Sequence, residues 1–167
     1  MSYAFRDLTE DDLPLIARWL GEPHVAQWWG KPEQGVRKIA EAMADIDTEP
    51  LIVELDGRPI AYLQTYDPHL EDDHPYQDQP TGTLGIDIAI GPPEMVGRGH
   101  GSGIVSAFVR LLFDEGVPRV IIDPHPDNLR AIAAYEKAGF RRFDTRTTVY
   151  GPALMLAIDA PDADRDP

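Results

Sequence analysis

Val96-Gly-Arg-Gly-His-Gly101 and Asp127-Asn-Leu-Arg-Ala-Ile-Ala-Ala-Tyr-Glu-Lys-Ala-Gly-Phe140 are the two stretches on which the reading of this chain turns. The first stands between an apolar alternation, Thr83 to Ile90, and a helical stripe of Ile104, Val105, Phe108, Leu111 and Leu112. That stripe runs from Ser102 to a stop at Gly116. Glycine permits positive φ and lets a ligand approach the backbone closely. The unpaired N–H groups of a helix starting there suit phosphate oxygens. A plain turn before a helix would use the same residues. The stretch is not a P-loop, because no Lys-Ser/Thr pair follows at the required spacing, and it lies too deep in the chain for a dinucleotide fingerprint. Val120-Ile-Ile122 then has the continuous apolar character of a buried strand. Asp127 to Ala138 reads as a helix stopped by Gly139.

Working outward, Tyr3 to Leu8 is a short strand. Thr9-Glu-Asp-Asp12 has the form of a capped helix start, and Leu13, Ile16, Ala17 and Leu20 continue it as one apolar stripe until Gly21 and Pro23. Residues 33–46 carry a weaker helical pattern. Leu51–Leu55 and Ile60–Tyr66 are strands joined by the hairpin signal Asp56-Gly57. Residues 67–82, with three prolines and five carboxylates, read as a long loop, either functional or mobile. Phe140–Thr147 and Ala153–Ile158 are the last strands. One domain is expected over residues 1–159, followed by an acidic, frayed tail at 160–167.

The chain has 167 residues and carries 29 acidic against 15 basic groups, a net charge of -14. Nucleic acid and anionic membrane surfaces are poor partners for such a field, and a cationic small molecule is a good one. There is no cysteine, which excludes disulfides, thiolate zinc sites and a cysteine nucleophile. No signal-peptide pattern opens the chain and no apolar run is long enough to span a bilayer, so a cytoplasmic protein is expected.

The order strand, glycine turn, long helix, buried strand, Asn-led helix resembles the GNAT acyltransferase superfamily. The matching positions are Gly99 and Gly101, then Asn128, Tyr135, Gly139 and Phe140, with Val96 where that family usually has Gln or Arg. Glu22-Pro-His-Val-Ala-Gln-Trp-Trp-Gly30, Gly85-Ile-Asp87 and Asp123-Pro-His-Pro-Asp-Asn128 look more narrowly like the aminoglycoside 6′-N-acetyltransferases. The His-Val-x-x-Trp-Trp segment is also similar to siderophore-lysine acyltransferases. The resemblance implies an α/β fold, with a mixed, mostly antiparallel, twisted sheet flanked by helices. It implies acetyl-CoA as co-substrate, its pyrophosphate held by Val96, Gly97, Arg98, Gly99, His100, Gly101 and Ser102. The pantetheine arm would then enter beside Ile88, Ala89 and Ile90 where two strands splay. No metal is expected; His69, His74, Asp72 and Asp73 cluster in sequence, but a proline-rich loop fixes no ligand geometry.

The resemblance also implies that Tyr135 protonates the leaving thiolate, that Asn128 bonds the pantetheine arm, and that Asp87 contacts the acceptor amine. Residue spacing is compatible with this. At 100° per residue Leu129, Ile132 and Ala133 face the sheet, and Asn128 and Tyr135 lie in line beside that stripe. Strand alternation sets Gly85, Asp87 and Ala89 opposite Leu84, Ile86, Ile88 and Ile90, a carboxylate among small residues that leave room for a ligand. Asp87 is either a base, an ammonium anchor or a solvated strand residue. Asp123 ends the buried strand and is the second acceptor-side acid or a helix cap, although Asp127 is better placed to cap. Of the adjacent Trp28 and Trp29, one packs and the other stacks on an acceptor or closes the cofactor cleft. His24 is either structural or a hydrogen-bond donor. The expected reaction is acetyl transfer to a primary amine of an aminoglycoside-like cation. A lysine-type siderophore precursor and a non-catalytic CoA-binding sensor remain as alternatives.

Overall fold

Alternating apolar residues and the tight turn at Asp56 and Gly57, both with positive φ, lay the first strands side by side. In the computed structural model, which describes residues 2–161, β1 (Tyr3–Asp7) pairs with β2 (Thr48–Leu55), and β2 with β3 (Arg58–Tyr66). β4 (Leu84–Ile90) follows antiparallel to β3, with Gln64 opposite Asp87. The sheet is completed by β5 (Arg119–Ile122), β6 (Arg141–Thr148) and β7 (Gly151–Asp159), in the order β1-β2-β3-β4-β5-β7-β6. Only β4 and β5 run parallel, and they pair at just two positions, Leu84 with Val120 and Gly85 with Ile121. Beyond Gly85 the two strands diverge.

Because side chains alternate across a strand, the sheet buries both faces. On one, Val53, Leu63 and Ile86 meet α4 (His100–Asp114) and α5 (Leu129–Lys137) through Ile104, Phe108 and Ile132. On the other, Ile52 and Tyr62 meet α1 (Leu13–Leu20), α2 (Pro23–Trp29) and α3 (Pro32–Ala42) through Ile16, Trp19, Val25 and Ile39. The expected start at Thr9 holds: the Thr9 N–H donates to Asp12 Oδ2 at 2.9 Å, and Arg6 donates to the same carboxylate. Two helical expectations change. Pro23 does not only end α1; it opens α2 as its first residue after an extended Glu22, the position where a missing N–H costs nothing. Likewise α3 begins at Pro32 and ends at Ala42, short of residue 46. The tail beyond Pro161, like Met1, lies outside the described residues.

Candidate active site

The divergence of β4 from β5 decides where a ligand can enter. The Gly91 N–H bonds the Ile60 carbonyl at 2.9 Å, so antiparallel alternation directs the N–H and C=O groups of Ala89 and Asp87 toward β3. Those of Ile88 and Ile90 point the other way, into the gap that β5 leaves open. One is already taken: His24 Nε2 donates to the Ile90 carbonyl at 2.8 Å, tying α2 to the strand end. The remaining strand edge can pair with an extended amide-bearing arm, and it walls a cavity of about 740 Å³ that also meets Trp28, Asn128 and Tyr135. Of the three β4 positions expected at the cofactor, Ala89 thus contributes its side-chain surface, while Ile88 and Ile90 present backbone groups.

The glycine turn closes the same cavity. Gly97 and Gly99 have φ of 78° and 84°, a region that favours glycine, and Gly99 caps α4. A Cβ at Gly97 or Gly99 would meet nothing in the protein, and one at Gly101 only the Ala134 Cβ at 3.7 Å. These glycines therefore answer to backbone conformation and to whatever occupies the cleft, and not to internal packing. The first N–H groups of the 15-residue α4 are unpaired by construction and face this turn. Val96, Gly97, Gly99, Gly101 and Ser102 line the cavity. His100 does not offer its ring to it: the buried imidazole meets the Tyr3 hydroxyl at 2.9 Å through Nδ1. Arg98 is exposed on the outer side of the turn. A positive-φ nest at a helix N-terminus fits a pyrophosphate, so the residues present suit CoA.

A second cavity of about 490 Å³ adjoins the first across Trp28, Trp29, Ile88, Asn128 and Tyr135. It holds both expected acids. Asp87 Oδ2 accepts from Gln64 Nε2 at 2.8 Å, and Gln64 Oε1 in turn accepts from the Tyr62 hydroxyl at 2.6 Å. Asp123 Oδ2 accepts from the Tyr76 hydroxyl at 2.5 Å. The two carboxyls lie in the same cavity and feel each other's charge, and both are held above the usual carboxylate range. For Asp87 the cause is removal from bulk water; for Asp123 it is that desolvation and then the charge of Asp87, which push it up to about 8. No lysine or arginine bonds either carboxylate among the described residues. Two acids this close, with only neutral donors behind them, disfavour the doubly charged form.

Tyr135 sits where the cavities meet, its ring buried against Phe140. Desolvation and the two acids raise its phenol well above the ordinary value. The face of α5 that packs on the core is Ile132 and Tyr135, not the expected stripe: Leu129 is 72% exposed and, with Ala133, borders the cofactor cavity. Asn128, not Asp127, caps α5, its side chain accepting the Ala131 N–H at 3.4 Å. That occupies the amide oxygen and leaves its NH₂ toward the cavities. Gly85 leaves no room for a ligand; the Tyr66 ring fills the space, 2.1 Å from where a Cβ would stand. Trp28 and Trp29 both line the two cavities but differ in their neighbours. Trp29 packs edge-on to Tyr62, whereas Trp28 reaches across to the His125 ring at 5.5 Å. Gln64, Tyr66, Tyr76, His125 and Tyr150 also line the acceptor cavity, and none was singled out by spacing. Gln64 alone left a signal, a polar residue in an apolar strand that register sets opposite Asp87.

A glycine nest opening α4 beside a splayed parallel strand pair suits the pyrophosphate and amide arm of an acyl-CoA, and comparison with known proteins gives the same class, an acyl-CoA-dependent acyltransferase. The acetyltransferase (GNAT) domain family matches residues 8–148, and the chain belongs to that family. It is 37% identical to the aminoglycoside N(6′)-acetyltransferase type 1 of Klebsiella pneumoniae, over 93% of this chain and 82% of that protein. It is 28% identical to a lysine N-acyltransferase of Mycolicibacterium paratuberculosis, over 98% of this chain and 76% of that one. A crystal structure of aminoglycoside acetyltransferase AAC(6′)-Ib with coenzyme A and kanamycin superposes with a TM-score of 0.87 at 34% identity, covering 99% of each chain.

Proposed function

We propose that residues 1–159 form one catalytic domain that transfers acetyl from acetyl-CoA to a primary amine of an aminoglycoside-like polycation, by direct attack in a ternary complex. The observation that carries this is the pair Asp87–Asp123, recessed in the second cavity, with no cation bonded to it among the described residues. Glu41, Asp45 and Glu71 line the same cavity against a single lysine, Lys38, which favours an acceptor with several ammonium groups.

Bound acetyl-CoA supplies an acetyl group activated as a thioester. Backbone N–H groups on the open edge of β4, at Ile88 and Ile90, hold the arm and polarise the reacting carbonyl. The acid pair handles the amine's proton. Moving a proton from an ammonium of pKa near 10 to an ordinary carboxylate is uphill by roughly 8 kcal/mol. Burial and the mutual charge of the pair hold its second proton above the ordinary carboxylate range, so the step is less uphill toward the pair than toward an isolated carboxylate. Passing the ammonium proton to the pair leaves a neutral nitrogen nucleophile. Tyr135 donates a hydrogen bond to the leaving sulfur, and the second proton that the nitrogen sheds as the amide forms passes through this contact to the thiolate, giving CoA thiol. Its hydroxyl proton becomes easier to share once the ammonium neutralises the pair.

We place the enzyme in the cytoplasm, as the sequence reading expects; among the described residues no helix is long and apolar enough to cross a membrane. The test is thiol release from acetyl-CoA with kanamycin, with lysine, with N-hydroxylysine and with no acceptor. The reading expects kanamycin to give the highest kcat/KM. Preference for a lysine derivative would transfer the enzyme to siderophore chemistry, and CoA binding without turnover on any amine would make it a sensor.

A further inference from the structure

We infer that Tyr76, in the segment between β3 and β4, is a positioning residue whose hydroxyl orients Asp123 and biases the acid pair toward its charged form. The inference rests on the reading of Asp87 and Asp123 as the acceptor-side acids. Residues 67–82 are polar and proline-rich, yet Tyr76 within them is only 1% exposed. Its ring packs with Tyr66, Ile121 and Met155 beneath the sheet. The segment is fastened around it and is not a loose lid. Arg146 of β6 donates to the Pro75 carbonyl at 3.2 Å and to Asp78 at 2.6 Å, and Arg119 of β5 donates to Gln79 at 3.1 Å. His69 Nε2 donates to the Gln79 carbonyl at 3.0 Å. A phenylalanine would serve that packing equally well. The hydroxyl adds one thing, the 2.5 Å bond to Asp123.

That bond matters because the pair has so few donors. Gln64, itself bonded by Tyr62, serves Asp87, and Tyr76 serves Asp123. The other groups facing the pair do not replace it. On β3 and α5, Tyr66 and Tyr135 are phenols raised by burial, and so is Tyr150 at the turn between β6 and β7. His74 is held neutral by burial and accepts the Tyr76 N–H at 3.1 Å. His125 Nδ1 accepts the Asp127 N–H at 3.0 Å. Arg146, over the Tyr76 ring at 5.7 Å, is committed to Asp78 and Asp144. A hydrogen bond to a charged carboxylate favours the charged form, so deleting it raises the proton affinity of the pair.

The variant Tyr76→Phe should shift the acidic limb of the kcat/KM profile for kanamycin to higher pH by about one unit. Carbon-13 titration of the carboxyls in the ligand-free protein should move by the same amount, with acetyl-CoA affinity unchanged. In an Asp123→Asn background, Tyr76→Phe should produce no further shift of Asp87. Limb and titration both coincident with wild type would overturn the inference, as would a lower Tm with an unmoved profile, which marks packing alone. If the wild type does not acetylate kanamycin, the functional reading falls, while the carboxyl titration still decides the role of Tyr76.

Discussion

The cofactor side and the acceptor side of this cleft are built from different materials. The first is backbone: the edge of β4, the nest at Gly97 and Gly99, and the N-terminus of α4. The second is side chains drawn from β3, β4, β5, α5 and the 67–82 segment. A phosphate recognised by peptide N–H groups tolerates almost any side chain nearby, so Val96 can stand where relatives of the superfamily carry Gln or Arg. An ammonium recognised by carboxylates depends on each acid and on each donor behind it. The cofactor side should therefore fail only when space or conformation is altered, and the acceptor side when single polar atoms are.

The largest break in that contrast should come from Asp87→Asn. It should lower kcat/KM for a cationic amine by roughly 10³-fold or more, because a desolvated anchor charge and the proton acceptor go together. Calorimetry should show acetyl-CoA affinity unchanged; a parallel loss would mean that the two sides are not independent. Next, Tyr135→Phe should lower kcat by about 10²-fold with little change in either KM, measured where chemistry limits turnover. On the cofactor side, Gly101→Val should weaken acetyl-CoA binding by roughly 10- to 100-fold through crowding. Its backbone is not strained, so Tm should hold, and a drop in Tm with intact affinity would refute the assignment. Gly99 is a poorer probe, because its φ of 84° strains any replacement.

A stability measurement sharpens the acceptor side further. Asp123 has a higher pKa folded than unfolded, so the unfolded chain binds fewer protons and stability falls as pH rises from about 4 to about 8. Asp123→Asn should flatten that fall and raise Tm above pH 7 by about 3 °C or more, even as activity is lost. An unchanged pH dependence would show that the pair is not strained in the free protein. The smallest effect should follow neutralisation of Glu71, Asp72 and Asp73 together. Asp72 and Asp73 are exposed while Glu71 lines the cavity, so screened steering should change KM for kanamycin only a few-fold, more at low salt than at high. An identical salt profile in variant and wild type would end the steering role.

What the sequence determined by itself was whatever depends on local backbone chemistry. Strand alternation, the Asp56-Gly57 hairpin, the Thr9 start and the glycine nest were legible because each is set within a few residues. The placement of Asp87 on β4 and of Tyr135 on the Asn-led helix was legible too, through resemblance and alternation. Even locally there were limits: Pro23 opens a helix although it read as an ending, α3 stops at Ala42 rather than running to residue 46, and the cap of α5 falls on Asn128. Only the tertiary structure decided which of Trp28 and Trp29 packs, that Gly85 makes room for Tyr66, and that His100 turns inward to Tyr3. It alone brought Tyr76 from a polar segment to within 2.5 Å of Asp123, 47 residues away. The physical reason is that a side chain's environment in the acceptor site is supplied by strands distant in sequence. Asp87 and Asp123 are held above the ordinary carboxylate range because the divergence of β4 and β5 leaves two carboxyls together, out of bulk water, with neutral donors behind them.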